Sequence, residues 1–374
     1  MRLGIDRLAA DAAGKIAGRR VGLVTNQTGL AAGLMPSAHA LRGAGADVAA
    51  LFAAEHGLRG TVPAGEAVAP EREPGTGVPV HSLYGERRAP APGDLAGLDV
   101  LVHDIQDIGC RYYTVLGTLL GCADAAAAAG IPLLVCDRPN PITGLHPEGN
   151  VGEAGHDSLV GAGAVPVRHG LTLGELAGLL RPGMPGLHVV PMDGWRRAMW
   201  WDETGLPFVP PSPNAAHLDM ALLYPGTCLL EGTNVSEGRG TALPFEVAGA
   251  PWIDGEALAR ALRQEELPGL AVRPAAFRPG TGPHAGLDCD GVQLHVLRRD
   301  LVRPVAAGVH LLAAIRRLHP DRLRFRAGHL DLLARTAGLR RDLEAGRPAA
   351  AILAEWGDEA EAFAPLRRRH LLYP

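Results

Sequence analysis

The sequence predicts an α/β protein with a mostly parallel sheet, followed by a smaller α+β domain. Three observations support this prediction: buried strands alternate with helices in the first part of the chain, each strand ends in polar residues, and the pattern changes after Pro251. Strands that alternate with helices join into parallel sheets through crossover connections. With 374 residues, 47% hydrophobic and 20% charged, the chain is long enough for two domains. We expect them at residues 1–225 and 226–374.

Four apolar runs predict the buried strands of the sheet. They begin at Arg20, Asp47, Leu98 and Ile131, and each stops abruptly at polar residues. Because ligands bind outside the carboxyl ends of strands in such sheets, we expect the polar ends to line one rim. The rim residues are Asn26, Gln27, Glu55, His56, Asp104, Gln106, Asp107, Asp137, Arg138 and Asn140.

The other elements of the first domain lie between these strands. Gly130 closes a predicted helix at 113–129, and Thr172 or Gly174 begins another. Residues 61–97 are rich in Gly, Pro and Glu and form a long excursion from the sheet, with only a short strand at 78–83. The remaining predictions are helices at 37–43 and 218–223 and a fifth strand at 187–192.

The second domain is predicted by a different arrangement of elements. Amphipathic helices flank two strands there instead of alternating regularly with them. The helices are expected at 255–264, 305–318 and 330–337, and the strands near 270–277 and 292–297.

A glycine-rich polar segment at residues 231–246 has almost no apolar periodicity. Its glycines permit positive φ and close approach to a ligand, while Asn234, Glu237 and Arg239 supply donors, acceptors and both charge signs. A second polar segment, ending at Asn214, lies just upstream. The alternative is an ordinary solvated loop.

Glu55 is the first candidate for catalysis. It follows a buried strand, His56 stands beside it, and a general acid needs a carboxyl in a half-buried cleft. The alternative is a structural carboxylate that caps the following backbone. The possible second carboxylates are Asp104, Asp107 and Glu237, and two opposed carboxyls suit cleavage of a glycosidic bond.

Other conspicuous residues have competing interpretations. Arg59 and Arg239 are plausible anchors for a ligand carboxylate. For Asp137 and Arg138 we favour a structural ion pair. Indoles stack on sugars and also fill cores, and for a cluster of three of the five tryptophans we favour core packing. They are Trp195, Trp200 and Trp201.

Several classes of function are disfavoured by composition and motifs. A net charge of −4 without a basic block argues against a nucleic-acid partner. Neither the glycine-rich dinucleotide fingerprint nor a metal-ligand spacing is present, so we expect no nicotinamide, flavin or metal cofactor. No apolar run reaches the length of a membrane span, and the chain does not begin as a signal peptide does, so we expect no membrane association and a cytoplasmic location.

Seven segments taken together resemble one family, the NamZ-type exo-β-N-acetylmuramidases, formerly a family of unknown function. The matching segments are Gly22-Leu-Val-Thr-Asn-Gln-Thr-Gly29, Glu55-His-Gly-Leu-Arg-Gly60, Ser82-Leu-Tyr-Gly85, Asp104-Ile-Gln-Asp-Ile-Gly109, Asp137-Arg-Pro-Asn-Pro141, Pro211-Ser-Pro-Asn214 and Glu231-Gly-Thr-Asn-Val-Ser-Glu-Gly-Arg-Gly-Thr241. They occur in order over nearly the whole chain.

The resemblance implies a Rossmann-like N-terminal domain, a smaller C-terminal domain and an active-site cleft between them. It implies hydrolysis of terminal, non-reducing N-acetylmuramic acid from peptidoglycan-derived glycans, without a metal or organic cofactor. The substrate would be a small muropeptide or glycan fragment, used in cell-wall turnover or recycling. The family's proposed catalytic glutamate corresponds to Glu55, and we expect Arg239 to bind the lactyl carboxylate of the sugar.

We therefore expect a site with catalytic and substrate-binding residues from both domains. The expected catalytic residues are Glu55, His56 and Glu237. The expected substrate-binding residues are Asn26, Gln27, Arg59, Asp104, Gln106, Asp107, Arg138, Asn140, Asn214, Asn234 and Arg239. A muramyl-sugar binding module without turnover is the alternative function, and a deacylase ranks last because no Gly-x-Ser-x-Gly elbow is present.

Overall fold

The computed structural model describes residues 1–69 and 71–374, which form two compact units. Unit 1 comprises Met1–Leu145, Gly170–Pro213 and Leu366–Pro374, and unit 2 comprises His146–His169 and Asn214–Pro365. The units are discontinuous in sequence, whereas the domains expected from the sequence were continuous. Hydrophobic periodicity locates helices and strands. Residues 146–169 show no such periodicity, so the sequence does not reveal that they pack with a distant part of the chain.

Unit 1 is built on a parallel sheet. Its strands, in chain order, are β1 (Arg20–Thr25), β2 (Leu30–Ala31), β3 (Met35–Pro36), β4 (Asp47–Ala53), β5 (Glu71–Arg72), β6 (Pro79–Ser82), β7 (Val100–Asp104), β8 (Leu133–Cys136) and β9 (Leu187–Val190). β2 and β3 form a separate hairpin, and the other seven form one sheet in the order β5-β6-β4-β1-β7-β8-β9. Every neighbouring pair in that sheet is parallel except β5 with β6. The predicted mostly parallel sheet is confirmed.

The strand order has one reversal, which lies beside β1. The chain builds outward from β1 through β4 to β6, then returns to the other side of β1 and builds outward through β7, β8 and β9. This is the strand order of the Rossmann fold, in which ligands bind at the reversal point outside the carboxyl ends of the strands. In this sheet that point lies between β1 and β7.

The helices of unit 1 connect these strands. They are α1 (Gly4–Ala10), α2 (Ser37–Gly43), α3 (Pro92–Leu95), α4 (Thr114–Ala129) and α5 (Leu173–Leu180), with 3₁₀ turns at Ala32–Leu34 and Trp201–Thr204. α4 ends at Gly130, whose φ of 69° gives the left-handed C-cap that glycine favours. α5 begins with a capping box between Thr172 and Glu175. All three tryptophans of the cluster are buried, and Trp195 packs edge-on against Tyr373.

Unit 2 combines a three-stranded antiparallel sheet with helices. Its strands are β10 (Val247–Ala250), β11 (Leu270–Phe277) and β12 (Cys289–Val296), in the order β10-β12-β11. Its helices are α6 (Leu218–Thr227), α7 (Gly255–Leu262), α8 (Pro304–Leu318), α9 (Ala327–Ala334), α10 (Gly338–Glu344) and α11 (Ala349–Arg368, of which the part up to Pro365 belongs to unit 2), with a 3₁₀ turn at Cys228–Gly232. The predicted α+β character is confirmed. β10, α10 and α11 were not predicted, because β10 is short and the buried apolar residues of α10 and α11 are few and widely spaced.

Over the residues that the structure describes, no helix is long and apolar enough to cross a membrane.

Candidate active site

The strand register places the predicted rim residues at one edge of the sheet of unit 1. Thr25, the last residue of β1, pairs with Ala53 of β4 on one side and with Asp104 of β7 on the other. The three strands therefore end level with one another. The residues that follow them begin at the same edge, at the reversal point of the strand order.

Glu55 lies just beyond β4, with a partly exposed carboxyl group held at both oxygens. Oε2 accepts a hydrogen bond from Oγ1 of Thr114 at 2.8 Å, and Oε1 accepts one from the backbone N–H of Gly65 at 3.1 Å. The neighbouring Tyr113 is buried, which raises the pKa of its phenol, and the charges of Glu55 and Asp107 raise it further. A neutral phenol therefore lies within electrostatic range of both carboxyl groups.

His56 has a strained backbone and a defined tautomer. Its φ of 72° lies in the left-handed region, which a non-glycine residue adopts at a cost. Its Nδ1 lies 2.7 Å from the carbonyl oxygen of Val62. Because a carbonyl only accepts, Nδ1 carries the hydrogen, and Nε2 is the ring nitrogen that can accept in the neutral imidazole. His56 is buried.

Gln27 and the Glu55–Gly60 turn contact each other across the end of β1. Gly60 has a φ of +70°, and a Cβ there would lie 2.3 Å from Cδ of Gln27. Nε2 of Gln27 donates to the carbonyl of Pro210 at 3.0 Å. Arg59, in the same turn, is exposed and forms no ion pair with any residue that the structure describes. Asn26 closes a local turn, since its Oδ1 accepts from the N–H of Thr28 at 2.9 Å.

Arg138 and Asp104 form a buried ion pair at the centre of this edge. Nε and Nη2 of Arg138 bind the two oxygens of Asp104 at 2.6 and 2.8 Å, and the hydroxyl of Ser37 also donates to Asp104. The predicted ion pair between Asp137 and Arg138 is wrong. Asp137 instead accepts hydrogen bonds from Thr172, from the N–H of Gly174, from the hydroxyl of Tyr373 and from the backbone N–H of Arg138. Successive residues point to different sides of the strand end, which explains their different partners.

Gln106, Asp107 and Asn140 hold the backbone of the rim. Nε2 of Gln106 donates to the carbonyls of Asp107 and Pro139 at 2.8 and 2.7 Å. Oδ2 of Asp107 accepts from the N–H of Gly109 at 2.6 Å, and Nδ2 of Asn140 donates to the carbonyl of Leu171 at 2.9 Å. These side chains shape the loops and are themselves buried.

A cavity of about 270 Å³ lies in unit 1 and is lined by Gln106 and Arg138 but not by Glu55. Most of its other walls are apolar. Its remaining principal lining residues are Leu3, Thr28, Leu30, Trp201, Leu206 and Val209. The cavity is not the candidate catalytic site itself, because the carboxyl group of Glu55 does not line it.

In unit 2, Arg239 lies between two carboxylates. Its Nη1 binds Oε1 of Glu237 and its Nη2 binds Oε1 of Glu231, both at 2.6 Å. Burial raises the pKa of Glu237. Burial would also raise the pKa of Glu231, but Arg239 and His329 outweigh it and lower that pKa to about 2. The guanidinium also lies over the Phe245 ring, 4.7 Å from its centroid.

The two predicted asparagines of unit 2 differ in their setting. Nδ2 of Asn234 donates to the carbonyl of Arg322 at 3.1 Å, and its Oδ1 accepts from the N–H of Arg324 at 2.8 Å. Asn234 therefore fastens one loop to another. Asn214 is partly buried at the point where the chain enters unit 2 for the second time.

Three polar residues at these sites were missed from the sequence. Thr114, Ser37 and Glu231 contact Glu55, Asp104 and Arg239 respectively. Ser37 begins a predicted helix and Thr114 lies in the first turn of another, positions where a polar side chain usually signals only a helix start. Glu231 is the first residue of the glycine-rich segment, and that position could have identified it as a candidate.

Comparisons with known proteins define the class of this chain, a two-domain glycosidase. The family models described as exo-β-N-acetylmuramidase NamZ, N-terminal and C-terminal, match residues 21–219 and 222–373. The chain belongs to this NamZ family. It is 40% identical to the peptidoglycan β-N-acetylmuramidase NamZ of Bacillus subtilis, over 100% of this chain and 91% of that protein.

Two crystal structures of DUF1343 family proteins from Bacteroides fragilis are similar over the whole chain. The first has a TM-score of 0.92 at 35% identity and covers 100% of this chain and 99% of its own. The second has a TM-score of 0.79 at 29% identity, with coverage of 100% and 98%.

Proposed function

We propose that this protein is an exo-acting glycoside hydrolase that releases terminal, non-reducing N-acetylmuramic acid from peptidoglycan-derived glycans. Membership of the NamZ family and the Bacillus relative support the substrate and the bond. The structural observation that carries the proposal is Glu55, a partly exposed carboxyl just beyond β4, the strand next to β1, at the carboxyl edge of the sheet. Both of its oxygens are held by hydrogen bonds. A carboxyl so placed can deliver a proton in a fixed direction.

Glu55 acts as the general acid in this proposal. It protonates the glycosidic oxygen as the bond to C1 breaks and positive charge develops on the muramic ring. His56 fixes the turn that carries Glu55, because its Nδ1–H binds the Val62 carbonyl, and its Nε2 can accept a hydrogen bond from the substrate.

The attacking group is best supplied by the substrate's own 2-acetamido group. Asp104 is fully buried and bound at both oxygens by Arg138. Asp107 is buried with Oδ2 bound to the N–H of Gly109, and Glu237 is buried against Arg239. None of these three candidates is placed to activate an open water, and attack by the acetamido group needs no second catalytic carboxylate.

Arg59 is the best cation for the lactyl carboxylate of the substrate. Arg138 is compensated by Asp104, and Arg239 is compensated by Glu231 and Glu237. Arg59 is exposed, stands in the same turn as Glu55 and has no ion-pair partner among the described residues. This assignment replaces our expectation for Arg239, which instead holds two carboxylates of its own unit together.

The test is release of free N-acetylmuramic acid from a MurNAc-GlcNAc disaccharide by the wild type and by Glu55→Gln. A matched N-acetylglucosaminide and an EDTA arm run in parallel. Release from the muramyl substrate alone, unaffected by EDTA and lost in Glu55→Gln, is the expected result. Calorimetric binding of the disaccharide without release would instead favour a muramyl-sugar binding module. The cytoplasmic location expected from the sequence stays a prediction, which fractionation of the producing cells checks.

A further inference from the structure

The hydroxyl of Thr114 donates a hydrogen bond to Glu55 from the first turn of a neighbouring helix. Oγ1 of Thr114 lies 2.8 Å from Oε2 of Glu55, and the two residues are 59 positions apart in sequence. Thr114 is buried, with 7% of its surface exposed, and it is the first residue of α4. No side chain caps the start of α4. The hydroxyl is therefore directed at Glu55 and not at the backbone of its own helix.

The two groups that bind the Glu55 carboxyl differ in their chemistry. The N–H of Gly65, at 3.1 Å from Oε1, can only donate. A threonine hydroxyl can donate or accept, because its hydrogen rotates about the Cβ–Oγ1 bond. Oε1 accepts a hydrogen bond from an N–H that cannot reverse its direction, so protonation is less favourable on Oε1 than on Oε2. Oε2 is therefore the oxygen that carries the proton when Glu55 is an acid.

We propose that Thr114 is a positioning residue for proton transfer by Glu55, an inference that rests on the proposed function. Before the reaction Oε2 carries the proton, and the hydrogen of Thr114 is turned away from it. The O–H bond of Glu55 then breaks and a new O–H bond forms on the glycosidic oxygen. The electron pair of the C1–O bond goes to that oxygen. The hydroxyl of Thr114 turns and donates to the new carboxylate. Thr114 neither gains nor loses a proton.

The need to protonate the glycosidic oxygen depends on the leaving group. Substrates with different leaving groups therefore distinguish a role of Thr114 in proton transfer from a role in the fold alone. A sugar alkoxide is a poor leaving group and needs protonation, whereas a nitrophenolate leaves without it. Thr114→Val should lower kcat on the MurNAc-GlcNAc disaccharide by about 10- to 100-fold, the effect of losing one hydrogen bond to a charged group. Its KM should stay within about 2-fold. On a nitrophenyl N-acetylmuraminide its kcat should fall by less than about 3-fold, since the reaction no longer depends on general-acid assistance.

Two further variants serve as rescue and control. Thr114→Ser retains the hydroxyl and should restore kcat on the disaccharide to within about 3-fold of the wild type. Thr118→Val removes a buried hydroxyl one turn farther along α4, where it donates to the carbonyl of Thr114 at 3.1 Å, and should leave both substrates unaffected. The thermal unfolding midpoint of each variant shows whether the fold is intact.

Equal losses on both substrates in Thr114→Val, or no rescue by Thr114→Ser, would overturn the inference. Wild-type turnover of the disaccharide by Thr114→Val, while Glu55→Gln is inactive, would overturn it and leave the proposed function standing. Full activity of Glu55→Gln on the disaccharide would reject Glu55 as the general acid and overturn the inference with it. Failure of the wild type to release N-acetylmuramic acid from the disaccharide would reject the proposed function itself.

Discussion

The guanidinium of Arg138 binds both carboxylate oxygens of Asp104, through Nε at 2.6 Å and Nη2 at 2.8 Å. Asp104 is the last residue of β7, and Arg138 follows β8, the adjacent parallel strand. Their exposed fractions are 0% and 5%. The planar guanidinium matches the carboxylate at two points, so the pair joins the ends of two strands at the edge that carries Glu55.

Breaking this pair from one side should destabilise the protein strongly. Asp104→Asn leaves the buried charge of Arg138 uncompensated, which typically costs about 3 to 5 kcal/mol. The free energy of unfolding in urea measures this cost. The control is Asp124→Asn, which removes the partner of Arg181 in a more exposed pair and should cost less than about 1 kcal/mol. Similar small losses in both variants would show that the buried pair contributes nothing beyond a surface one.

Arg59→Gln should weaken recognition of the lactyl carboxylate. Arg59 is exposed, so water screens its charge, and we expect a loss of about 10-fold in kcat/KM on the MurNAc-GlcNAc disaccharide, mainly through KM. The same disaccharide with a neutral lactamide should be cleaved equally by the wild type and the variant. Arg19→Gln, at the opposite end of β1, is the matched control and should change neither rate.

An equal loss on both substrates would contradict this assignment. It would mean that Arg59 acts through the shape of the Glu55–Gly60 turn and not through the carboxylate.

The edge of the sheet could be predicted from sequence because its determinants are local and periodic. Each parallel strand is buried on both faces, which produces continuous apolar runs, and the first polar residue marks the end of the run. Thr25, Ala53 and Asp104 confirm this, since they are paired at the ends of three adjacent strands. The position of Glu55 at that edge followed from the same pattern.

Side-chain partners could not be predicted in this way, because they depend on which chain segments approach in space. Arg138 pairs with Asp104, 34 positions away, and not with its sequence neighbour Asp137. Arg239 was expected to bind a ligand carboxylate, and its partners within the protein, Glu231 and Glu237, were not predicted. Thr114 contacts Glu55 only because α4 begins beside the end of β4. No pattern within a segment carries that information.

Gly60→Ala should disturb the turn that carries Glu55. A Cβ at Gly60 would lie 2.3 Å from Cδ of Gln27, so Gln27 must move away from its bond to Pro210. We expect a fall of about 10-fold in kcat/KM, because displacement of a catalytic group by about 1 Å is costly. Gly18→Ala is the matched control. The φ of Gly18, +71°, is nearly equal to the +70° of Gly60, but nothing lies within 4 Å of a Cβ added at Gly18. Both variants share the strain of positive φ, so their difference in activity reports the contact with Gln27. Equal activities would exclude that contact as a determinant of catalysis.

The stability of the protein should depend on pH through Asp137. Burial raises the pKa of this carboxyl to about 6, even though Thr172, Tyr373 and the N–H of Gly174 donate hydrogen bonds to it. In the unfolded chain this carboxyl titrates near its ordinary value of 3.8, so the folded state binds more protons between these two pH values.

The contribution of protonated Asp137 to the free energy of unfolding is therefore fully present below about pH 4 and is lost as the pH rises through about 6. Asp137→Asn cannot titrate, and its free energy of unfolding should fall less steeply over this range, by up to about 1.4 kcal/mol per pH unit. Urea unfolding of both proteins from about pH 4 to 7 measures the two slopes. Parallel pH dependences would show that Asp137 keeps the same protonation in the folded and unfolded states.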